Sequence, residues 1–396
     1  MNDIVNGKHA ERHKFVFTGK GWQFFIISLV NVLLVCITLG IYLPWAVVKC
    51  RRYVYSHMSL NGQVFSYKAT GGAILASFLL VIVVYALSFY FISREQFVIG
   101  SIILGMLILS IPFMIVKSLQ YQAMMTSLNG INFSFECSML KAWLYLFALP
   151  FIIEVILGVV LYFVFSVTGF LGVIPRLILL GLVMILGLGV VNGVVYGKWM
   201  TLMGNGGHFG IHRFSIQISI KQCIKGCVLA LSTLLPFIVV IGYLISPVFM
   251  QLLQMSIMGG EPDTITSAII MENYSRIMTG YALYFIAILV VVSYMYSTLR
   301  NLFLNHLTLA NETLHFHSSI TGSGMFLRML MVMVVSSITL GLAYPWLKMY
   351  LVGWMARNTY VIGDLDALEL VNGETPQNGG FLMWISRGIM PYVPFI

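Results

Sequence analysis

The chain of 396 residues is 59% hydrophobic and only 9% charged, with a mean hydropathy of +0.94, against about 25% charged residues in a soluble domain. Water is therefore excluded as its main solvent. The formal charge of +9 does not point to nucleic acid, because the basic residues sit in short clusters beside apolar segments, as the positive-inside bias of membrane loops requires.

In chain order, residues 1–21 form a basic tail carrying Lys8, Arg12, Lys14 and Lys20. It runs into an apolar stretch too long for a signal peptide, with no small-residue cleavage site behind it. Apolar segments follow at 22–37, 73–92, 97–116, 143–165, 177–196, 227–250, 280–296 and 325–338. About 20 helical residues cross a hydrocarbon core, and helices satisfy every backbone group within such a segment. The expectation is an all-α polytopic membrane protein of repeated transmembrane helical hairpins joined by short cytoplasmic β-strands.

The strands are read from alternation with a period of two. It appears at Phe15 and Phe17, at Phe65 and Tyr67, at Phe133 and Phe135, and at greatest length at Phe214, Ile216, Ile218 and Ile220. Pro44, Trp45, Lys49, Tyr53, Asn61, Gly62 and Phe65 return as Pro112, Phe113, Lys117, Tyr121, Asn129, Gly130 and Phe133, an offset of 68 (129 minus 61). Pro345, Trp346 and Gly363 answer Pro44, Trp45 and Gly62 at an offset of 301 (345 minus 44). Such self-similarity is an internal repeat. The Ser-Leu-Asn-Gly turns at 59–62 and 127–130 read as helix stops, since Asn and Gly adopt the left-handed conformation that ends a helix.

On this reading residues 22–363 form a membrane domain of five hairpin units. Six full spans are flanked by short hairpins at 22–58 and 325–359, where two complete crossings barely fit. Thr-Leu-Gly corners at 38–40 and 339–341 turn the short hairpins, and Pro44 or Pro345 opens the returning helix, where proline costs least. Every strand then lies on one side together with all Lys and Arg except Arg94, Arg176 and Arg276, so both termini are expected in the cytoplasm. Eight single crossings would instead split the basic residues almost evenly. Residues 251–279, with Gly259, Gly260 and Pro262, are expected to form a mobile outer loop. Residues 364–396 form a tail that is acidic first (Asp364, Asp366, Glu369, Glu374) and interfacial over 380–390.

The Thr-Leu-Gly-Ile-Tyr-Leu-Pro-Trp run at 38–45, the Ser-Leu-Asn-Gly turns, Phe-Gly-Ile-His-Arg-Phe at 209–214, and Asn358-Thr359-Tyr360 with Gly363-Asp364-Leu365-Asp366 carry a resemblance. They resemble the YjgN-like family of multi-pass bacterial inner-membrane proteins, a domain of unknown function. The resemblance spans nearly the whole chain and implies an inner-membrane location. It supplies no reaction, ligand or site residue.

Glu154 is the one acid inside an apolar helix, where an ionisable group costs at least about 2.5 kcal/mol unless neutral, paired or wetted. With Asn192 it is a transport-path candidate, or else a structural Glu hydrogen-bonded to that Asn. Gly189, Gly193 and Gly197 share a helix face and point to close packing on a neighbour, with a pore-lining or hinge role as the other reading. His208, His212, His315, His317, Cys223 and Cys227 lack the convergent ligands a metal needs, so no metal or cofactor is expected. The five cysteines read as reduced thiols. Lys20 and Lys68 stand beside Gly-containing corners at helix N-termini and are candidates for anionic lipid head groups, unless the glycines serve only the corner.

Hydrolase, redox and nucleotide motifs are missing, so an enzyme is not expected. The partner implied is the lipid bilayer, with no nucleic acid. The leading expectation is a transporter- or channel-like protein for a small solute or amphiphile, from the short helices at corresponding positions in the two ends. The alternative is a non-transporting scaffold or lipid-organising protein with a basic cytoplasmic face.

Overall fold

Ten short strands set the architecture. The computed structural model describes residues 4–5, 8–9, 11–258, 269–365, 368, 371–373 and 381–387. The strands are β1 (Arg12–Phe17), β2 (Met58–Leu60), β3 (Gln63–Tyr67), β4 (Thr126–Leu128), β5 (Ile131–Phe135), β6 (Gly207–Phe209), β7 (His212–Ile216), β8 (Leu307–Leu309), β9 (Leu314–Ser318) and β10 (Thr359–Gly363). Each pairs antiparallel with the next, and β10 pairs with β1, Val361 opposite His13, to close a barrel.

This barrel corrects the all-α expectation. Isolated strands of three to six residues would each leave a row of unpaired backbone groups, and closure removes every such edge. Period-two patterning marked where the strands lie but not that each pairs with both neighbours. Two local expectations fall with it. The Ser-Leu-Asn-Gly turns do not stop helices: Ser59 and Leu60 lie in β2, and Asn61 (φ 48°) with Gly62 (φ 76°) links β2 to β3. Asn129 (φ 49°) and Gly130 (φ 80°) link β4 to β5 likewise, as two-residue hairpins require. The alternation after Phe214 ends as strand at Ile216, and Ile220 opens a helix.

A helical hairpin is inserted after each odd-numbered strand, and all five rise from the barrel end opposite the tight turns. The first is α1 (Gly21–Ile37) with α2 (Leu43–Ser56), and the second α3 (Gly71–Ser93) with α4 (Phe97–Met124). The third runs from α5 (Met139–Trp143) through a π-turn at Leu144–Ala148 into α6 (Leu149–Val167) and returns as α7 (Val173–Gly206). The fourth is α8 (Ile220–Ser232), continued after Thr233 by α9 (Leu234–Met258), with α10 (Tyr274–Asn305). The last is α11 (Gly322–Ile338) with α12 (Tyr344–Arg357). A short α13 (Phe381–Ser386) packs on α3 and α4. Gly259, Gly260, Glu261, Pro262 and Asp263 of the expected outer loop lie outside the described residues, as do Asp366, Glu369 and Glu374 of the tail.

Among the described residues, six helical segments are long and apolar enough to cross a membrane. In the apolar window of Met139–Phe170 no residue is buried within the protein, as a lipid-facing helix should show. The end hairpins are shorter: α1 and α11 have 17 residues each, about 25 Å of rise. Their corners are built alike. Thr38 Oγ1 donates to the Leu34 carbonyl (2.6 Å) and accepts from the Tyr42 N–H (3.0 Å), while Thr339 does the same with Val335 (2.7 Å) and Ala343 (3.1 Å).

The hairpins pack in sequence order into a ring that closes where α1 meets α12. Trp45 covers the start of α3, where a Cβ on Gly71 would lie 2.4 Å from the indole. Trp346 covers the start of α1 in the same way, 2.4 Å from a Cβ on Gly21. The last hairpin thus grips the first as the first grips the second. No substantial packing joins hairpins that are not neighbours among the described residues.

Candidate functional site

The barrel wall gives the site its floor. Five strands carry Phe at one register position: Phe15, Phe65, Phe133, Phe214 and Phe316. Opposite them across the ladder stand Leu60, Leu128, Phe209, Leu309 and Val361. These side chains form one interior cluster. Phe15, Phe65 and Phe133 succeed one another at 6.3 Å between ring centroids, Phe133 and Phe209 at 4.8 Å, and Phe214 and Phe316 at 5.9 Å. The five Phe at the shared position stay only half-buried, whereas the residues opposite are buried. Eight strands make a barrel that side chains just fill, and ten make a wider one, which the Phe layer narrows.

The turn-end mouth is crossed by the chain that follows β10. Leu368 is buried among the interior residues and Leu365 packs beside it. Asn372 then anchors on the far rim: its Oδ1 accepts from the Asn132 N–H (2.9 Å) and its Nδ2 donates to the Gly130 carbonyl (3.4 Å). Gly373 approaches Gly210 so closely that a Cβ on it would lie 2.5 Å from the Gly210 carbonyl. A cavity of about 130 Å³ remains between this strap and the barrel, lined by Asn61, Gln63, Leu128, Phe209 and the two strap leucines among others.

Above the barrel, Lys49, Lys117 and Lys198 stand at one level, the same distance before the turn residues Asn61, Asn129 and Gly210. Lys49 Nζ lies 5.3 Å from the centre of the Tyr42 ring, Lys198 Nζ 5.4 Å from that of Tyr145, and Lys117 donates to Gln120 Oε1 (2.9 Å). None of the three has a carboxylate partner among the described residues. Lys49 and Lys117 are separated by the same 68 residues (117 minus 49) as Asn61 and Asn129. Lys198 is not marked in this way, because the third turn, Gly210-Ile211, has lost the Asn-Gly pair that marks the register.

Glu154 is exposed on α6 and does not meet Asn192, whose Nδ2 donates to the Leu188 carbonyl of its own helix (2.8 Å). Gly189 and Gly193 lie against the α8 backbone, where added Cβ atoms would fall 2.9 Å from Val228 Cα and 2.4 Å from Ile224 Cα. Gly197 faces Cys223 Sγ at 3.4 Å. Pro44 and Pro345 are buried at the start of α2 and α12, and Gly363 (φ 136°) ends β10. Lys68 Nζ donates to Asn132 Oδ1 (3.3 Å), and the Lys20 backbone N–H to Tyr53 Oη (2.9 Å). Gly71 and Gly21 both sit under tryptophans, so the corner glycines have a steric role. Groups that could hold a metal are absent among the described residues. Burial pushes the Cys137 thiol up to about 11 against the opposing pull of Lys141, so it is protonated at neutral pH.

Six exposed apolar helices carried by a barrel on one side define an integral, multi-pass membrane protein. The chain belongs to the family described as "Bacterial protein of unknown function (DUF898)", whose model matches residues 12–381. It is 57% identical over 397 residues to "Inner membrane protein YjgN" of Salmonella typhimurium (strain LT2) and 40% identical over 399 residues to the protein of that name in Escherichia coli O157:H7, each alignment covering 100% of both chains. No solved structure matches the chain. The curated relatives are named inner membrane proteins, and the six candidate spans among the described residues agree with that location.

Proposed function

We propose that this protein is a non-enzymatic conduit, transporter- or channel-like, for a small solute or amphiphile, and that its five hairpins are copies of one unit arranged about the conduit. The observation that carries the reading is the shared axis: a ring without cross-packing stands on a barrel whose Phe layer is half-buried. The barrel and both termini are assigned to the cytoplasm, because Arg94, Arg176 and Arg276 alone among Lys and Arg lie toward the far ends of the hairpins, in line with the positive-inside rule.

Proteoliposomes loaded with carboxyfluorescein test this directly. Faster release than from empty vesicles, increased by Phe65→Ala with Phe133→Ala, is the expected result. Release equal to that from empty vesicles in both would overturn the conduit. One observation favours a second reading, a static scaffold: the strap with its buried Leu368 closes the barrel mouth. In that case the double Phe variant leaves release unchanged.

A further inference from the structure

The third hairpin carries a groove on its outer half, between α6 and α7. Toward the barrel the two helices touch, since a Cβ built on Gly187 of α7 would run into the Leu157 side chain of α6. About 9 Å farther from the barrel at 1.5 Å of rise per residue, a Cβ on Gly181 meets nothing within 4 Å. The space left there is a groove of about 460 Å³, lined by Leu161, Phe165, Leu177, Leu180, Gly181 and Met184 together with Tyr162. Apart from the Tyr162 hydroxyl its lining side chains are apolar. From Met184 to Arg176 it rises about 12 Å, close to the depth of one leaflet of a hydrocarbon core about 30 Å thick.

Arg176 stands at the far end of this groove. Its guanidinium carbon lies 3.5 Å from the centre of the Phe165 ring, and one Nη donates to the Phe165 carbonyl. A guanidinium has five N–H donors. Among the described residues that carbonyl is the acceptor it finds, its Nε has none, and no carboxylate pairs with it. The side chain is only half-buried, so a cation is held at the head of an apolar groove with donors to spare.

We infer that the groove binds a phospholipid of the leaflet away from the barrel, one acyl chain lying between α6 and α7 and the phosphate on Arg176. Phosphate receives charge-assisted hydrogen bonds from a guanidinium. A chain leaving bulk lipid for the groove gains no hydrophobic free energy, so it is retained by van der Waals contact with two helix walls and by the phosphate contact. The site stands whether the ring conducts or serves as a scaffold.

The test is binding of phosphatidylglycerol, and of diacylglycerol with the same chains, to the purified full-length protein by native mass spectrometry. Arg176→Gln is expected to bind phosphatidylglycerol at least about tenfold more weakly than wild type, the scale of one charge-assisted hydrogen bond. It should hold diacylglycerol as wild type does, because that lipid has no phosphate, and this also shows that the groove is intact. Gly181→Leu fills the open space and is expected to weaken both lipids. Two controls are expected to match wild type: Arg94→Gln removes a cation at the same end of the second hairpin, and Gly242→Leu alters another glycine with nothing within 4 Å. Loss of both lipids in Arg176→Gln, or phosphatidylglycerol binding equal to that of Arg94→Gln, would overturn the head-group contact. Equal binding by Gly181→Leu and Gly242→Leu would overturn the groove.

Discussion

Gly193 is the residue on which the α7–α8 contact turns. A Cβ there would fall 2.4 Å from Ile224 Cα, and backbone cannot swing aside as a side chain does. Gly193→Leu is expected to cost about 1–3 kcal/mol or more through forced separation of the helices, seen as a lower unfolding temperature in detergent. Gly158 meets nothing within 4 Å, so Gly158→Leu is the matched control and should leave the temperature unchanged. His317 makes a second residue-scale case. Its ring lies 4.7 Å from that of Tyr360 on the barrel exterior, and Arg12 lies 5.7 Å from the same Tyr360 ring. Burial first and Arg12 second hold its pKa below the usual 6.5. The unfolded chain therefore takes up the proton first, so His317 contributes its full stability above pH 6.5 and loses it as the pH falls toward the folded value. The ring resonances of His317 should titrate with a midpoint under 6.5, and His317→Gln should lessen the loss of thermal stability between pH 7 and pH 5.

At the scale of elements, what the sequence displayed was local. Helix positions followed from apolar length, and strand positions from the alternation of Phe15 with Phe17 and Phe65 with Tyr67. Asn61-Gly62 between two alternating stretches is a strong short-range hairpin signal, and reading it as a helix stop missed the β2–β3 pairing. Closure was harder to see, because it depends on β10 meeting β1 across almost the whole chain, and no local pattern encodes that register. The Phe layer of the candidate site was present as separate residues, but only the ladder registers show that they share one level. The strap was hidden for a related reason: Leu365 and Leu368 sit in an acidic stretch that reads as a solvated tail, and only the barrel mouth gives them a place to be buried. Leu368→Asp puts a charge among Leu60, Leu128 and Phe209 and is expected to release the strap. Hydrogen exchange at the Asn132 amide, which Asn372 now protects, should then accelerate while the β5 ladder beyond it keeps its protection.

For the whole molecule the decisive question is whether the end hairpins turn inside the bilayer or pass through it. Asn31, buried in α1, donates to the Ala46 carbonyl of α2 (3.3 Å) and so ties the two arms of the first hairpin together. The arrangement places Lys68 and Arg357 on the barrel side and Arg94 on the opposite side, with Leu39 in hydrocarbon. Single cysteines at these positions, labelled with a membrane-impermeant maleimide in right-side-out and inverted vesicles, should react accordingly: Lys68→Cys and Arg357→Cys from one face, Arg94→Cys from the other, and Leu39→Cys from neither. Labelling of Lys68→Cys and Arg357→Cys from opposite faces would mean that an end segment crosses fully, and the barrel could not then close, since β10 must reach β1 on the side where β3 and β4 already pair. Leu39→Asp supplies the energetic counterpart. A carboxylate near the bilayer centre costs about 2.5–3.5 kcal/mol on insertion scales, so the variant should accumulate less in membranes, whereas a corner that emerged into water would tolerate the charge without loss.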